Sequence, residues 1–207
     1  MQTIDVRQLQ EIQLDALREV AHIGAGHAAT ALSQMTDSRI MISVPRLQVA
    51  RLEDVPDLVA DPESVVAAVL MHVMGDLTGR TLLVFPRESA MRLAEILMRR
   101  PLGTLHVFSE MEQSAIKEAG NILTAAYLNA LSDFMGKMLL PSVPSLVIDL
   151  CAAVLTTVYT GFVSNQEHVI GIETEFRMDT GDSVGGYFLL LPDVPSLQAI
   201  LRALRLA

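Results

Sequence analysis

At 207 residues, 51% of them hydrophobic and with a formal net charge of −9, the chain has apolar material for one domain or two small ones and too little polarity for wholesale disorder. The acidic balance, with no long Lys/Arg cluster, excludes nucleic acid and an anionic membrane surface as the main partner. A single cysteine, Cys151, excludes an internal disulfide, and the N-terminus opens with a polar amphipathic segment instead of a basic stretch and apolar leader, which predicts a cytoplasmic protein.

Residues 5–35 read as one long helix, with Asp5 as N-cap, apolar or small residues at Leu9, Ile12, Ala16, Val20 and Ile23, and an end near Thr36 and Asp37. Gly24 and Gly26 each cost a helix about 1 kcal/mol, so they predict close approach of another backbone. Ser38–Arg51 is extended around Pro45, and Val65–Met74 and Arg80–Phe85 form a hairpin across Gly75-Asp76-Leu77-Thr78-Gly79. Pro86 ends that strand, and a shorter helix through Glu88, Leu93 and Leu97 stops at Pro101 and Gly103.

A capping box at Ser109-Glu110-Met111-Glu112 then opens a second long helix, which runs through Phe134 and stops at Gly136. Strands are expected at Ser145–Thr160, His168–Met178 and Val184–Leu191; Pro192 and Asp193 then precede a final helix through about Leu204. The apolar runs Val65–Met74 and Leu150–Val158 read as buried strands, because both fall well short of the roughly 20 residues that span a bilayer; no membrane insertion is expected.

The order of elements repeats, and so does a spaced pattern. Asp15-x3-Glu19-x2-His22-x22-Pro45 is matched 99 residues on by Ser114-x3-Glu118-x2-Asn121-x22-Pro144. Shared offsets across segments that otherwise differ mark a duplicated unit. The expected fold is α+β with pseudo-twofold symmetry: a helix-three strand-helix unit occurring twice, in about residues 5–103 and 109–206, with a mostly antiparallel sheet packed by long helices. With no low-complexity linker, 1–207 reads as a single domain with a shared core.

Offsets of four and three place Asp15, Glu19 and His22 along one helical stripe, and Ser114, Glu118 and Asn121 along another. Each is a polar line set among apolar neighbours, Leu17, Val20, Ala21 and Ile23 in the first copy and Ile116, Ala119, Ile122 and Leu123 in the second. These stripes are the candidate functional sites.

The doubled spacing resembles the CheC family of chemotaxis phosphatases, related to CheX and the flagellar-switch protein FliY. Ile23-Gly-Ala-Gly26 followed by Ala28-Ala-Thr-Ala-Leu-Ser33 is similar to the stretch after the first family motif, and Gly120-Asn121-Ile122-Leu123 to the second. The resemblance implies hydrolysis of the aspartyl phosphate of a phosphorylated CheY-like response regulator, which supplies the Mg²⁺; the chain itself needs no cofactor. By the same resemblance, Glu118 pairs with a lysine of the regulator, Asn121 orients the attacking water, Ser114 borders the contact and Pro144 shapes the site. Asp15 and Pro45 are the matching supports in the first copy. That copy departs from the pattern where His22 and His27 stand in place of asparagine, so the second copy is expected to carry the activity and the first to be weakened, lost or used for docking.

Other chemistries are excluded on ligand count or setting. Glu19-x2-His22 has the spacing of a di-iron helix ligand pair, but its duplicate offers Glu-x2-Asn, and His72, His106 and His168 lack ligand spacing, so no metal site is expected. Cys151 lies in an apolar run where a buried, inert thiol is the default, and Asp76 and Asp182 are turn residues. The resemblance carries one alternative: a non-catalytic or weakly catalytic binding module that regulates a CheD-type receptor deamidase. A FliY-like switch component is given less weight because the chain ends near Ala207, just after the last predicted helix.

Overall fold

The computed structural model describes residues 11–51, 55, 59–160, 168–178 and 181–206. In chain order the elements are α1 (Glu11–Thr36), β1 (Ile40–Ile42), β2 (Arg46–Arg51), β3 (Val65–Gly75), β4 (Gly79–Pro86), α2 (Arg87–Leu97), α3 (Glu110–Met135), β5 (Leu139–Pro141), β6 (Ser145–Leu150), α4 (Cys151–Thr160), β7 (His168–Met178), β8 (Ser183–Pro192) and α5 (Val194–Leu206). The duplication is visible in the backbone: α1 and α3 are both 26 residues long, and each begins 99 residues from its counterpart. Each is followed by a residue in the left-handed region, Asp37 at φ 54° and Gly136 at φ 61°, which ends the helical hydrogen-bond ladder. The capping box forms as expected, with Glu112 accepting from the Ser109 backbone N–H at 2.9 Å and from the Ser109 hydroxyl. The predicted Asp5 cap lies outside the described residues.

Eight strands form one antiparallel sheet, in the order β1-β7-β8-β4-β3-β5, with β2 continuing β1 along β7 and β6 continuing β5 along β3. Exchanging the halves maps this order onto itself. Strands β1 and β2 of the first half pair with β7 of the second, while β5 and β6 of the second half pair with β3 of the first. The two hairpins meet at the centre, where β4 pairs with β8 from Gly79↔Pro192 to Val84↔Tyr187. Each half therefore supplies the edge of the other half's hairpin.

Helices α1, α2, α3 and α5 bury their apolar stripes against one face of the sheet, on Ala67, Val69, Met71, Leu83, Phe85, Ile172 and Phe188. Strand residues of opposite parity, including Val66, Ala68, Leu82 and Val84, pack on the other face against Val55, Val59 and α4. Cover on both faces explains why β3 and β4 read as continuous apolar runs without alternation.

Two expectations change in the structure. The segment Ser38–Arg51 is two strands, β1 and β2, separated by Ser43-Val44-Pro45. The predicted strand Ser145–Thr160 ends at Leu150, and the rest is α4. Leu150 pairs with Val65, the first residue of β3, so β6 has no strand left to pair with beyond it. Cys151, Val154, Leu155 and Val158 are buried at helical spacing, and Thr156 and Thr157 donate their hydroxyls to the carbonyls of Ala152 and Ala153 at 2.7 and 2.9 Å.

The connection between the halves is held by Glu95 of α2, a buried carboxylate that accepts from the backbone N–H groups of Gly103 at 2.8 Å and Leu105 at 2.6 Å. Burial alone would push this carboxyl up, but the hydrogen bonds from Leu105, Gly103 and Thr104 together hold it below the ordinary 4.5. A lowered folded-state pKa stabilises the fold above the unfolded value and ceases to do so as the pH falls through the folded value. Glu95→Gln should therefore cost about 1–2 kcal/mol at neutral pH. The gap from wild type should close as the pH drops below about 4.5, as read from urea midpoints across a pH series. A gap that stays constant at low pH would remove Glu95 from the acid response.

Candidate functional site

The sheet-facing sides of the two long helices are close-packed. Leu17, Val20, Ala21, Ala25 and Ala28 of α1 are buried, as are Ile116, Ala119, Leu123 and Ala126 of α3. Between the helices, a Cβ on Gly24 would lie 2.6 Å from Tyr127 Cδ1 and 3.0 Å from its Cα. Close approach thus explains this glycine, whereas Gly26 faces open space. Tyr127 in turn stacks on Phe188 at 4.7 Å between ring centroids and hydrogen-bonds Thr174 at 2.9 Å. Burial pushes its phenol up to about 12, against the opposing Thr174 hydrogen bond.

Helical geometry turns the polar stripes to solvent. On α3, Ser114 and Glu118 are exposed and Asn121 is half-buried; on α1, Asp15, Glu19 and His22 are all exposed. Asp15 is tied to Arg18 at 2.5 Å, while the second copy has neutral Ser114 at the position of Asp15 and Lys117 at that of Arg18. Among the described residues, the side chains of Glu118 and Asn121 have no hydrogen-bond or ion-pair partner within the chain. A carboxylate and a carboxamide one turn apart, both unengaged, are chemically free for an outside partner.

Pro45 and Pro144 occupy two matching β-bulges. Along β5 and β6 the register runs Val73↔Pro141 and then Leu70↔Ser145, so Ser142, Val143 and Pro144 oppose only Met71 and His72. Along β1 and β2 it runs Ile42↔Phe176 and then Arg46↔Glu173, so Ser43, Val44 and Pro45 oppose only Thr174 and Glu175. An extra residue on an edge strand is tolerated there, and proline, lacking an N–H, suits the unpaired position. The Ser142 N–H donates to the His72 carbonyl at 2.9 Å, and the Ser43 N–H donates to the Glu175 carbonyl at 2.9 Å.

Each helix lies over the edge strands of its own half. On α3 the approach is tightest at Gly120, where a Cβ would fall 2.7–2.9 Å from the side-chain carbons of Val69. Val69 pairs with Leu146, two residues beyond Pro144. The helix that carries Ser114, Glu118 and Asn121 is thus packed at Gly120 on β3, the strand with which β5 and β6 of its own half pair. The first copy is built in the same way, with α1 on the edge strands of its own half. Glu19 and His22 belong to no cluster of three or more His, Cys, Asp or Glu among the described residues.

The model of the CheC-like family matches residues 12–48 and 111–148, which cover α1 to β2 and α3 to β6. Over 199 residues, 95% of each chain, the sequence is 32% identical to the CheY-P phosphatase CheC of Bacillus subtilis (strain 168). The chain belongs to the CheC-like family. A second relative of this CheC-like chain, the putative CheY-P phosphatase CheC1 of Halobacterium salinarum, is 29% identical over 144 residues, 70% of each chain. The crystal structure of Thermotoga maritima FliY has the same fold, with a TM-score of 0.79 at 21% identity over 96% of this chain and 98% of that one.

The sequence reading missed two residues of the CheC-like bulges. Val44 and Val143 each precede the motif proline, and their side chains are 75% and 87% exposed. The signal was present, since the tripeptide Ser-Val-Pro occurs at 43–45 and again at 142–144.

Proposed function

We propose that this chain hydrolyses the aspartyl phosphate of a phosphorylated CheY-like response regulator, and that the second copy does the work. The observation that carries the reading is the pairing of Glu118 and Asn121, exposed and half-buried on α3 and, among the described residues, unengaged within the chain. A relative aligned across 95% of the chain bears the name CheY-P phosphatase CheC, which fits that arrangement. In the reaction, water attacks phosphorus, the P–O bond to the regulator's aspartate breaks, and inorganic phosphate leaves with a free carboxylate behind. The regulator brings the Mg²⁺ and the phosphoryl group. The chain contributes position: Glu118 pairs with a lysine beside the phosphorylated aspartate, and the Asn121 carboxamide holds the water in line without placing negative charge against the phosphoryl oxygens.

His22 favours a separate use for the first copy. Imidazole offers one donor and one acceptor on a stiff ring, a different reach from a carboxamide, yet Glu19 and the Pro45 bulge are retained. This copy serves as a docking face, for the regulator or for a CheD-type deamidase. The test is phosphate release from a Mg²⁺-loaded, phosphorylated CheY-like regulator. The wild-type chain should accelerate release over the regulator's own decay, and Glu19→Ala/His22→Ala should keep kcat within about threefold, as expected where a copy contributes binding and not a transition-state contact. Equal loss of kcat in that variant would make the first copy a working site, and no acceleration by wild type on any regulator would leave the adaptor role.

A further inference from the structure

We infer that Val143 is an apolar anchor for the regulator, a recognition residue in the same copy as Glu118 and Asn121; this rests on the phosphatase reading above. A single exposed apolar residue on a protein surface is ordinary. Here the same residue type stands at the same point of the same bulge twice, in Ser43-Val44-Pro45 and Ser142-Val143-Pro144. Both side chains are more exposed than any other large hydrophobic residue among those described, at 75% and 87%. Duplicated exposure within the same repeated motif that carries the polar stripe points to contact with an outside surface.

The valine is also presented in a fixed way. Ser142 ties the bulge to β3 in both directions, its N–H donating to the His72 carbonyl and its hydroxyl accepting from the His72 N–H at 2.9 Å. Pro144 restricts the backbone of Val143 to extended conformations, and a β-branched side chain has little χ1 freedom to lose. Docking on it therefore costs little ordering entropy. The surface it fits is an apolar patch of the regulator near the phosphorylated aspartate. The division of labour is then simple: the valine supplies area without charge, and the carboxylate and carboxamide supply direction.

The two copies differ in what surrounds the anchor. Directly after the bulge proline the first copy has Arg46, an exposed cation, where the second has Ser145. Val143 belongs to the copy that carries Glu118 and Asn121, and so is the anchor used in turnover.

The experiment measures steady-state phosphate release by the full chain with Val143→Ser and Val143→Ile, with melting curves for each. Val143→Ser should raise KM for the phosphorylated regulator about tenfold, equivalent to about 1.4 kcal/mol, with kcat within about twofold, the split expected of a uniform binding contact. Val143→Ile should keep the wild-type KM. An unchanged KM in Val143→Ser, or a loss confined to kcat, overturns the anchor while leaving the phosphatase standing. Should wild type fail to accelerate release at all, the phosphatase reading falls, and calorimetric binding to the beryllofluoride-activated regulator decides the rest. Weaker binding by Val143→Ser supports the anchor, and equal or absent binding overturns it.

Discussion

Replacing Asn121 with alanine should lower kcat for phosphate release by roughly 10²–10³-fold, the scale of losing a positioned polar group at a developing transition state, while the melting temperature holds or rises. Stability and turnover separate here for a physical reason. Alanine is a better helix former than asparagine, and the Asn121 side chain has no partner within the chain among the described residues, so its removal leaves no orphaned group behind. The KM should change little, because the water that Asn121 orients is not part of the docked surface. Asn121→Asp gives a second reading of the same chemistry. It keeps the shape but replaces two N–H donors with negative charge beside the phosphoryl oxygens, so it should be at least as impaired as the alanine variant. Retention of more than a tenth of wild-type kcat in Asn121→Ala would remove the carboxamide from the mechanism. Binding of a CheD-type deamidase should be indifferent to either change, since neither alters the fold.

What could be read from the sequence was what local chemistry dictates. The second long helix is bounded by its own caps, Ser109 with Glu112 at one end and Gly136 at the other, and these were legible because every atom involved lies within a few residues. The polar stripes were legible because helical spacing alone sets which residues share a side. The exchange of edge strands was not legible: nothing in Ile40–Ile42 or Arg46–Arg51 says that its hydrogen bonds go to β7 of the other half. The bulges were hidden for the same cause, since three residues opposing two is a property of a pair of strands. Helix α4 was misread because Leu150–Val158 carries β-branched Val154, Thr156, Thr157 and Val158 in a largely apolar run, which favours a strand by composition. The buried set Cys151, Val154, Leu155 and Val158 has helical spacing, yet with apolar Leu150, Ala152 and Ala153 between and before its members that spacing does not stand out.

Gly120→Ala should be the substitution that couples stability to catalysis. On propensity alone it would favour α3 by about 1 kcal/mol. The added carbon, however, would meet Val69 at 2.7 Å from Cγ1 and 2.9 Å from both Cβ and Cγ2, inside the distance real contacts allow. Val69 cannot yield, because it is fully buried in the middle of β3 with strand partners on both sides, Leu83 and Leu146. The helix must move instead, and overpacking of this kind costs about 1–3 kcal/mol, more than the propensity gain. Because Asn121 is the next residue, the same shift moves the carboxamide, and kcat should fall by about tenfold or more, as a displacement near 1 Å does to a positioned group. The cycle with Val69→Ala separates the two effects. Val69→Ala alone leaves a cavity and should be destabilised by about 1–3 kcal/mol. In the double variant the new methyl fills that space, so the two costs should fail to add by about 1 kcal/mol or more, and kcat should recover toward wild type. Additive losses in both stability and kcat would mean that Gly120 acts through the helix backbone and not through its contact with β3, and the placement of Asn121 would then have to come from α3 alone.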